Sequence, residues 1–227
     1  MYKPTFIYLL LLVWWGTGCA EKGNTQDKTN PGTNQETTNK APQAMKNILF
    51  FGNSLTAGYG LNSSTESFPA LIQKKIDSLD WPYKAINAGL SGETSAGGKN
   101  RIDWLLRQPV DVFVLELGAN DGLRGIPPSE TKKNLQAIVD KVRAKYPEAK
   151  LVMLGMEVPP SMGGAYAGEF RVIFRQLANE NNMALVPFLL EGVGGVRSLN
   201  QPDGVHPTAA GQKILASNVW EVLKDVL

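Results

Sequence analysis

Short apolar runs alternate along most of this chain with stretches whose apolar residues return every three or four positions. The runs at 48–51, 84–87, 110–117, 151–154 and 185–186 predict strands. The helical spacing at 68–79, 96–106, 129–145, 170–181 and 208–226 predicts helices; in the first, Leu71, Ile72, Ile76 and Leu79 fall on one face. Pro127-Pro128-Ser129 reads as a helix start with Ser129 as its cap. Strands separated by single helices imply right-handed βαβ units and a parallel sheet covered on both faces. The expected fold class is therefore α/β, as a three-layer α/β/α domain with a parallel five-stranded sheet over 45–227. No internal repeat is visible.

The pattern is different before residue 45. Lys3 supplies a positive start, 6–15 is an unbroken apolar run, and Gly16-Thr17-Gly18 leads to Cys19. That run has about half of the ~20 residues needed to span a bilayer, so a permanent transmembrane helix is disfavoured. Residues 1–19 resemble a bacterial lipoprotein signal, with Cys19 as the lipidated first residue of the mature chain. Gly16 departs from that pattern, which usually has Leu or another aliphatic residue there; an ordinary secretory signal is the alternative. Residues 20–44 have no aliphatic side chain larger than Ala, and burial cannot offset the entropy of ordering them. They read as a disordered tether with a reach on the order of 25–30 Å. The expected location is the cell envelope, on a lipid anchor in the membrane, or otherwise outside the cell.

Composition narrows the chemistry. The 227 residues carry a net charge of +2, with acids and bases interspersed and no basic stripe, so nucleic acid is not an expected partner. Cys19 is the sole cysteine, which rules out intrachain disulfides and a multi-cysteine metal site. His206 is the sole histidine, too few nitrogen ligands for a metal hydrolase.

Glycine and polar residues gather after the strand runs: Gly52-Asn53-Ser54, then Gly89 to Thr94, then Gly118-Ala119-Asn120-Asp121-Gly122, then Met156 to Pro160. Gln201-Pro202-Asp203-Gly204-Val205-His206-Pro207 precedes the last helix. In a parallel sheet the loops after the strands share one edge, where ligands bind. Each segment also has a plainer reading. Ser54 is a suitable helix cap, Asn-Asp-Gly is a turn signal, and Gly89 could serve its own bend. Together, however, they fill the roles of nucleophilic acyl transfer. A serine hydroxyl needs a base within hydrogen-bond reach, and imidazole is the side chain best suited near neutral pH. Ser54 is the candidate nucleophile, His206 the base, and Asp203, across a Pro-Asp-Gly turn, the group that orients the ring. The Ser54 and Gly89 N–H groups and the Asn120 carboxamide are candidate oxyanion donors. Glycine suits the second of these positions because no side chain blocks the backbone's approach to substrate.

The same residues carry a family resemblance. Gly52-Asn53-Ser54-Leu55, Asn87-Ala88-Gly89, Gly118-Ala119-Asn120-Asp121 and Asp203-Gly204-Val205-His206 resemble the four sequence blocks of the SGNH (GDSL) hydrolases. Gly58-Tyr59-Gly60, Asn87 to Thr94, Glu116 to Gly125, Gly155-Met156 with Pro159-Pro160, and Val186 to Val193 are similar to the arylesterase, acyl-CoA thioesterase I and lysophospholipase L1 branch. The likeness spans 45–227. It implies a flavodoxin-like sheet, an open site, no cofactor, and a serine esterase acting on aryl esters, acyl thioesters or lysophospholipids. Ser54, Gly89, Asn120 and His206 take the four named positions of the superfamily. Asn53 departs from it, standing where Asp is usual, with an expected effect on pH profile or loop rigidity. Thr56 takes the place of the last glycine of Gly-x-Ser-x-Gly, which disfavours an α/β-hydrolase elbow.

For the substrate, the loop 157–168 with Pro159, Met162 and Tyr166 is expected to wall an acyl groove together with Leu123 and Ile126. Simple cover for the core is the alternative. The rival activities are deacetylation of cell-surface or dietary glycans and, from another class, non-catalytic binding of lipid or glycan.

Overall fold

Lys46–Gly52 (β1), Tyr83–Gly89 (β2), Val112–Glu116 (β3), Lys150–Leu154 (β4) and Ala184–Val186 (β5) form one sheet in the order β2-β1-β3-β4-β5. All neighbours are parallel. The computed structural model describes residues 44–227. The expected signal segment with Cys19, and all but the last residue of the expected tether, lie outside the described residues.

Ser54–Ala57 (α1), Phe68–Ser78 (α2), Ser95–Leu105 (α3), Ala119–Leu123 (α4), Pro128–Lys145 (α5), Gly164–Glu180 (α6) and Ala209–Leu223 (α7) are the α-helices. α2 packs with α7, while α3, α5 and α6 form a second row, giving the expected layers on the two faces of the sheet. The central strands are apolar on both faces because both faces are covered. Phe50 and Phe51 are fully buried and point to opposite layers. Phe50 meets Phe68 edge-on at 5.8 Å and Phe51 meets Phe113 at 5.8 Å. Full burial of such a ring contributes about 1.5–3 kcal/mol.

The chain leaves β1 toward β2 on one side and returns to β3 on the other. This places a switch point between β1 and β3, where parallel sheets hold ligands beyond the strands' carboxyl ends. Register then sets three residues side by side at that edge, since Gly52 pairs with both Gly89 and Glu116.

Several boundaries differ from the sequence pattern. Ser129 does not cap α5. Pro127 is the capping residue, with no side-chain hydrogen bond, and Pro128 opens the helix, where its missing N–H has no intrahelical acceptor to lose. Asn120-Asp121-Gly122, a turn signal by composition, forms α4 instead. α6 begins at Gly164 rather than at 170, so Tyr166 stands on a helix and not in a loop. Gly164 is the first helical residue, and Gly163 lies just outside the helix at φ 94°, a conformation that favours glycine.

Candidate active site

The nucleophile candidate sits on a turn that is bonded on every side. Asn53, not Ser54, caps α1: its Oδ1 accepts the Leu55 N–H at 3.0 Å. Ser54 is therefore the first helical residue, and its own N–H has no intrahelical partner. Beneath the turn lies Glu116, fully buried at the end of β3. Its carboxylate accepts from the Asn53 N–H at 3.0 Å, Asn53 Nδ2 at 2.8 Å, Thr56 Oγ1 at 2.8 Å and the Thr56 N–H at 3.3 Å. Burial raises the Glu116 pKa to about 7, outweighing the donors that favour its charged form. Asn53 thus has a structural reason to be an amide. An aspartate there would set a second carboxylate against Glu116, whereas Asn53 Nδ2 donates to it.

The space above Gly52 is equally full. A side chain on Gly52 would run into Thr56 Oγ1 at 2.1 Å and Glu116 Oε2 at 2.5 Å. On the α7 side, buried Gln212 accepts the Phe68 N–H at 2.8 Å through Oε1 and donates from Nε2 to the Leu55 carbonyl at 3.3 Å.

The histidine arrives on a loop closed by an antiparallel bridge between Asn200 and Pro207. The Gln201 N–H donates to the His206 carbonyl at 2.7 Å, and Gln201 Nε2 donates to the Tyr59 carbonyl at 2.7 Å, tying this loop to the segment after α1. The Tyr59 ring lies against the imidazole, with centroids 4.7 Å apart. His206 Nε2 is 2.9 Å from Ser54 Oγ, and His206 Nδ1 is 2.7 Å from Asp203 Oδ2. Asp203 Oδ1 accepts the Val205 and His206 N–H groups at 2.9 and 3.0 Å. The bond to the His206 ring, then those to the His206 and Val205 backbone, hold the Asp203 pKa down at about 2. Asp203 remains ionised throughout the neutral range and fixes the tautomer with hydrogen on Nδ1. That leaves Nε2 free to accept the serine proton.

The candidate oxyanion donors gather at the same edge. Asn120 is the second residue of α4, and its Nδ2 donates to the Glu93 carbonyl at 3.0 Å, leaving one amide hydrogen uncommitted. α4 is itself anchored by fully buried Asp121, whose carboxylate accepts from the Ser95 N–H at 2.8 Å, from Ser95 Oγ, and from Thr131 Oγ1 at 3.4 Å. The Gly89 N–H donates to Asn87 Oδ1 at 3.0 Å in an exposed bond, which an incoming oxygen would have to displace or share. A Cβ on Gly89 would strike the Ala57 backbone N at 2.2 Å and the Asn53 carbonyl at 2.8 Å, so packing against the turn at α1 by itself requires glycine there.

The expected groove residues are dispersed between surface and core. Leu123 and Pro159 are exposed and Ile126 half-buried, while Met162 and Tyr166 are half-buried against the core. Tyr166 donates its hydroxyl hydrogen toward the carbonyls of Ile126 at 2.8 Å and Gly122 at 3.3 Å, fastening α6 to the α4 segment. Among the described residues no group of three or more His, Cys, Asp and Glu side chains is placed to hold a metal ion. Asn53, Tyr59, Glu116 and Gln201 were not among the expected site residues. The signal available for Glu116, a charge inside the apolar run 110–117, is shared by Asp111 and did not single it out.

Comparison with known proteins places this geometry in a family. The profile of the GDSL-like Lipase/Acylhydrolase family matches residues 50–214. Esterase TesA of Pseudomonas aeruginosa is 42% identical over 185 residues, covering 81% of this chain and 90% of that protein. Thioesterase 1/protease 1/lysophospholipase L1 of Escherichia coli K12 is 37% identical over 187 residues, covering 81% of this chain and 86% of that protein. The crystal structure of TesA superposes with a TM-score of 0.76 at 41% identity, covering 80% of this chain and all of that one.

Proposed function

The chain belongs to the GDSL-like lipase/acylhydrolase family and is a serine esterase, and we propose that Ser54, His206 and Asp203 carry its chemistry. The observation that carries this reading is the pair of contacts through one ring, 2.9 Å from Nε2 to Ser54 Oγ and 2.7 Å from Nδ1 to Asp203. Ser54 Oγ attacks the carbonyl carbon of the ester as its proton passes to His206 Nε2. The resulting imidazolium is stabilised by ionised Asp203. Negative charge develops on the former carbonyl oxygen, facing the Ser54 N–H, the Gly89 N–H and the free amide hydrogen of Asn120. The loss of one such donor typically slows turnover by about 10²–10³. Collapse of the tetrahedral intermediate expels the alcohol or thiol, which takes the proton from His206. Water then enters, His206 removes its proton, and the acyl-serine is hydrolysed by the same steps in reverse order.

The substrates proposed are aryl esters, acyl thioesters and lysophospholipids, held along Leu123, Ile126, Pro159, Met162 and Tyr166. A panel of these, with acetylated xylan and peptidoglycan alongside, tests the assignment in wild type and Ser54→Ala. Turnover of acyl chains longer than acetate that vanishes in the variant supports it. Activity confined to acetylated glycan would make the protein a deacetylase, and no turnover of any substrate would make the site a binding site.

The proposal extends to placement: Cys19 carries a lipid anchor, and 20–44 tethers the esterase at the cell envelope. Metabolic labelling with a fatty-acid analogue should tag wild type; equal labelling of Cys19→Ala would refute the anchor.

A further inference from the structure

α3 brings one cation behind the candidate oxyanion hole. Its approach is close because Gly98 has no side chain; a Cβ there would meet Leu117 Cδ1 at 2.4 Å and the Phe51 ring at 3.2 Å. One turn later, the Arg101 guanidinium lies over the Phe51 ring, 4.5 Å from its centroid. Its Nε donates to Glu93 Oε1 at 2.7 Å, and its Nη2 donates both to Glu93 Oε2 and to the Ala88 carbonyl at 3.0 Å. The Arg101 side chain is 22% exposed and the Glu93 side chain 4%.

These contacts reach two oxyanion donors from behind. The Ala88 carbonyl and the Gly89 N–H belong to one peptide group and point opposite ways across its plane. A donor on the carbonyl fixes that plane and polarises the N–H on its far side. Glu93, gripped at both oxygens, presents its own backbone carbonyl to Asn120 Nδ2 at 3.0 Å. That bond decides where the second amide hydrogen of Asn120 points. We propose that Arg101 is a positioning residue that aligns the Gly89 N–H and the Asn120 carboxamide as one unit through Ala88 and Glu93. The proposal rests on the reading of Gly89 and Asn120 as oxyanion donors. Because Glu93 offsets the charge of Arg101, the pair supplies geometry more than net field. Lysine replaces it only in part, since the planar fork that reaches two acceptors at once is specific to a guanidinium.

The test compares Arg101→Met, Arg101→Lys and Glu93→Gln with wild type, measuring kcat and KM on an aryl acetate and the inhibition constant of phenylboronic acid. The boronate forms a tetrahedral adduct on serine and so reports the oxyanion donors directly. Losing donors that act only in the transition state lowers kcat and leaves KM nearly unchanged. Arg101→Met should lose roughly tenfold or more in kcat, with boronate affinity falling in parallel and KM shifting less than about threefold. Arg101→Lys and Glu93→Gln should lose less, in the same two quantities. If Arg101→Met fails to fold, as judged by its thermal transition, the other two variants decide on the same criteria. A kcat within about twofold of wild type, a loss confined to KM, or an unchanged boronate affinity would overturn the proposal. A wild-type enzyme indifferent to boronate would remove the donor reading beneath it, and this proposal with it.

Discussion

Ser54 Oγ lies 2.9 Å from His206 Nε2, although 152 residues of chain separate them. No local turn brings the two together. Ser54 is fixed by the end of β1, by Asn53 as cap and by Glu116 beneath; His206 is fixed by the 200–207 bridge and by Gln201, which bonds both loops. Each loop is cross-bonded without substrate, and dipoles held in this way can lower a barrier without reorganising.

With the proposed roles, the protonation state of the histidine is decisive. Only neutral His206 accepts the serine proton, so kcat/KM should rise with pH across its acid limb. Asp203, ionised down to about pH 2, should add no titration of its own in that range. A rate with no acid limb would contradict the assignment.

Asp203→Asn should lower kcat by roughly 10²–10⁴, because the amide no longer holds hydrogen on Nδ1. The melting temperature should move little, since Asp203 is exposed and its bonds lie within one loop. A variant with near wild-type turnover would show that loop geometry alone orients the ring.

Glu116 gives a stability prediction with a definite sign. Its folded pKa of about 7 exceeds the ordinary 4.5. Between those values the native protein keeps a proton that the unfolded chain has released. This group's contribution is therefore fully present below about pH 4.5 and is lost as pH rises through about 7. Glu116→Gln removes that dependence, so denaturant unfolding should find the variant gaining on wild type by up to about 1.4 kcal/mol per pH unit in this window. Parallel stability curves would mean that Glu116 does not titrate there.

Met162→Ser tests the acyl groove. Turnover of p-nitrophenyl esters should fall for long chains and hold for acetate, since burying each methylene is worth about 0.8 kcal/mol. An unchanged chain-length profile would assign Met162 to core cover alone.

The sheet was legible from sequence because strands buried on both faces leave unbroken apolar runs, as at Ile48 to Phe51 and Val112 to Leu115. The layers followed from the alternation of those runs with helices. α4 was not legible: Asn120, Asp121 and Gly122 favour turns, and the helix exists because Asp121 reaches Ser95 and Thr131 on other elements. The start of α6 was hidden by the paired glycines at 163 and 164. Ser54, Gly89 and Asn120 stood out in the glycine-rich polar segments after strand runs, and Asp203 and His206 as an acid and the sole imidazole ahead of the last helix. Glu116, Arg101 and Gln201 did not, because their partners are 60, 13 and 142 residues away in sequence. Pattern at short range carries no information about such pairings.

The most direct measurement is covalent labelling with a fluorophosphonate, followed by mapping of the adduct by mass spectrometry. The account predicts one adduct, on Ser54, stoichiometric with loss of esterase activity, absent in Ser54→Ala and formed far more slowly in His206→Ala. An adduct on another residue, or hydrolysis that persists in Ser54→Ala, would contradict it.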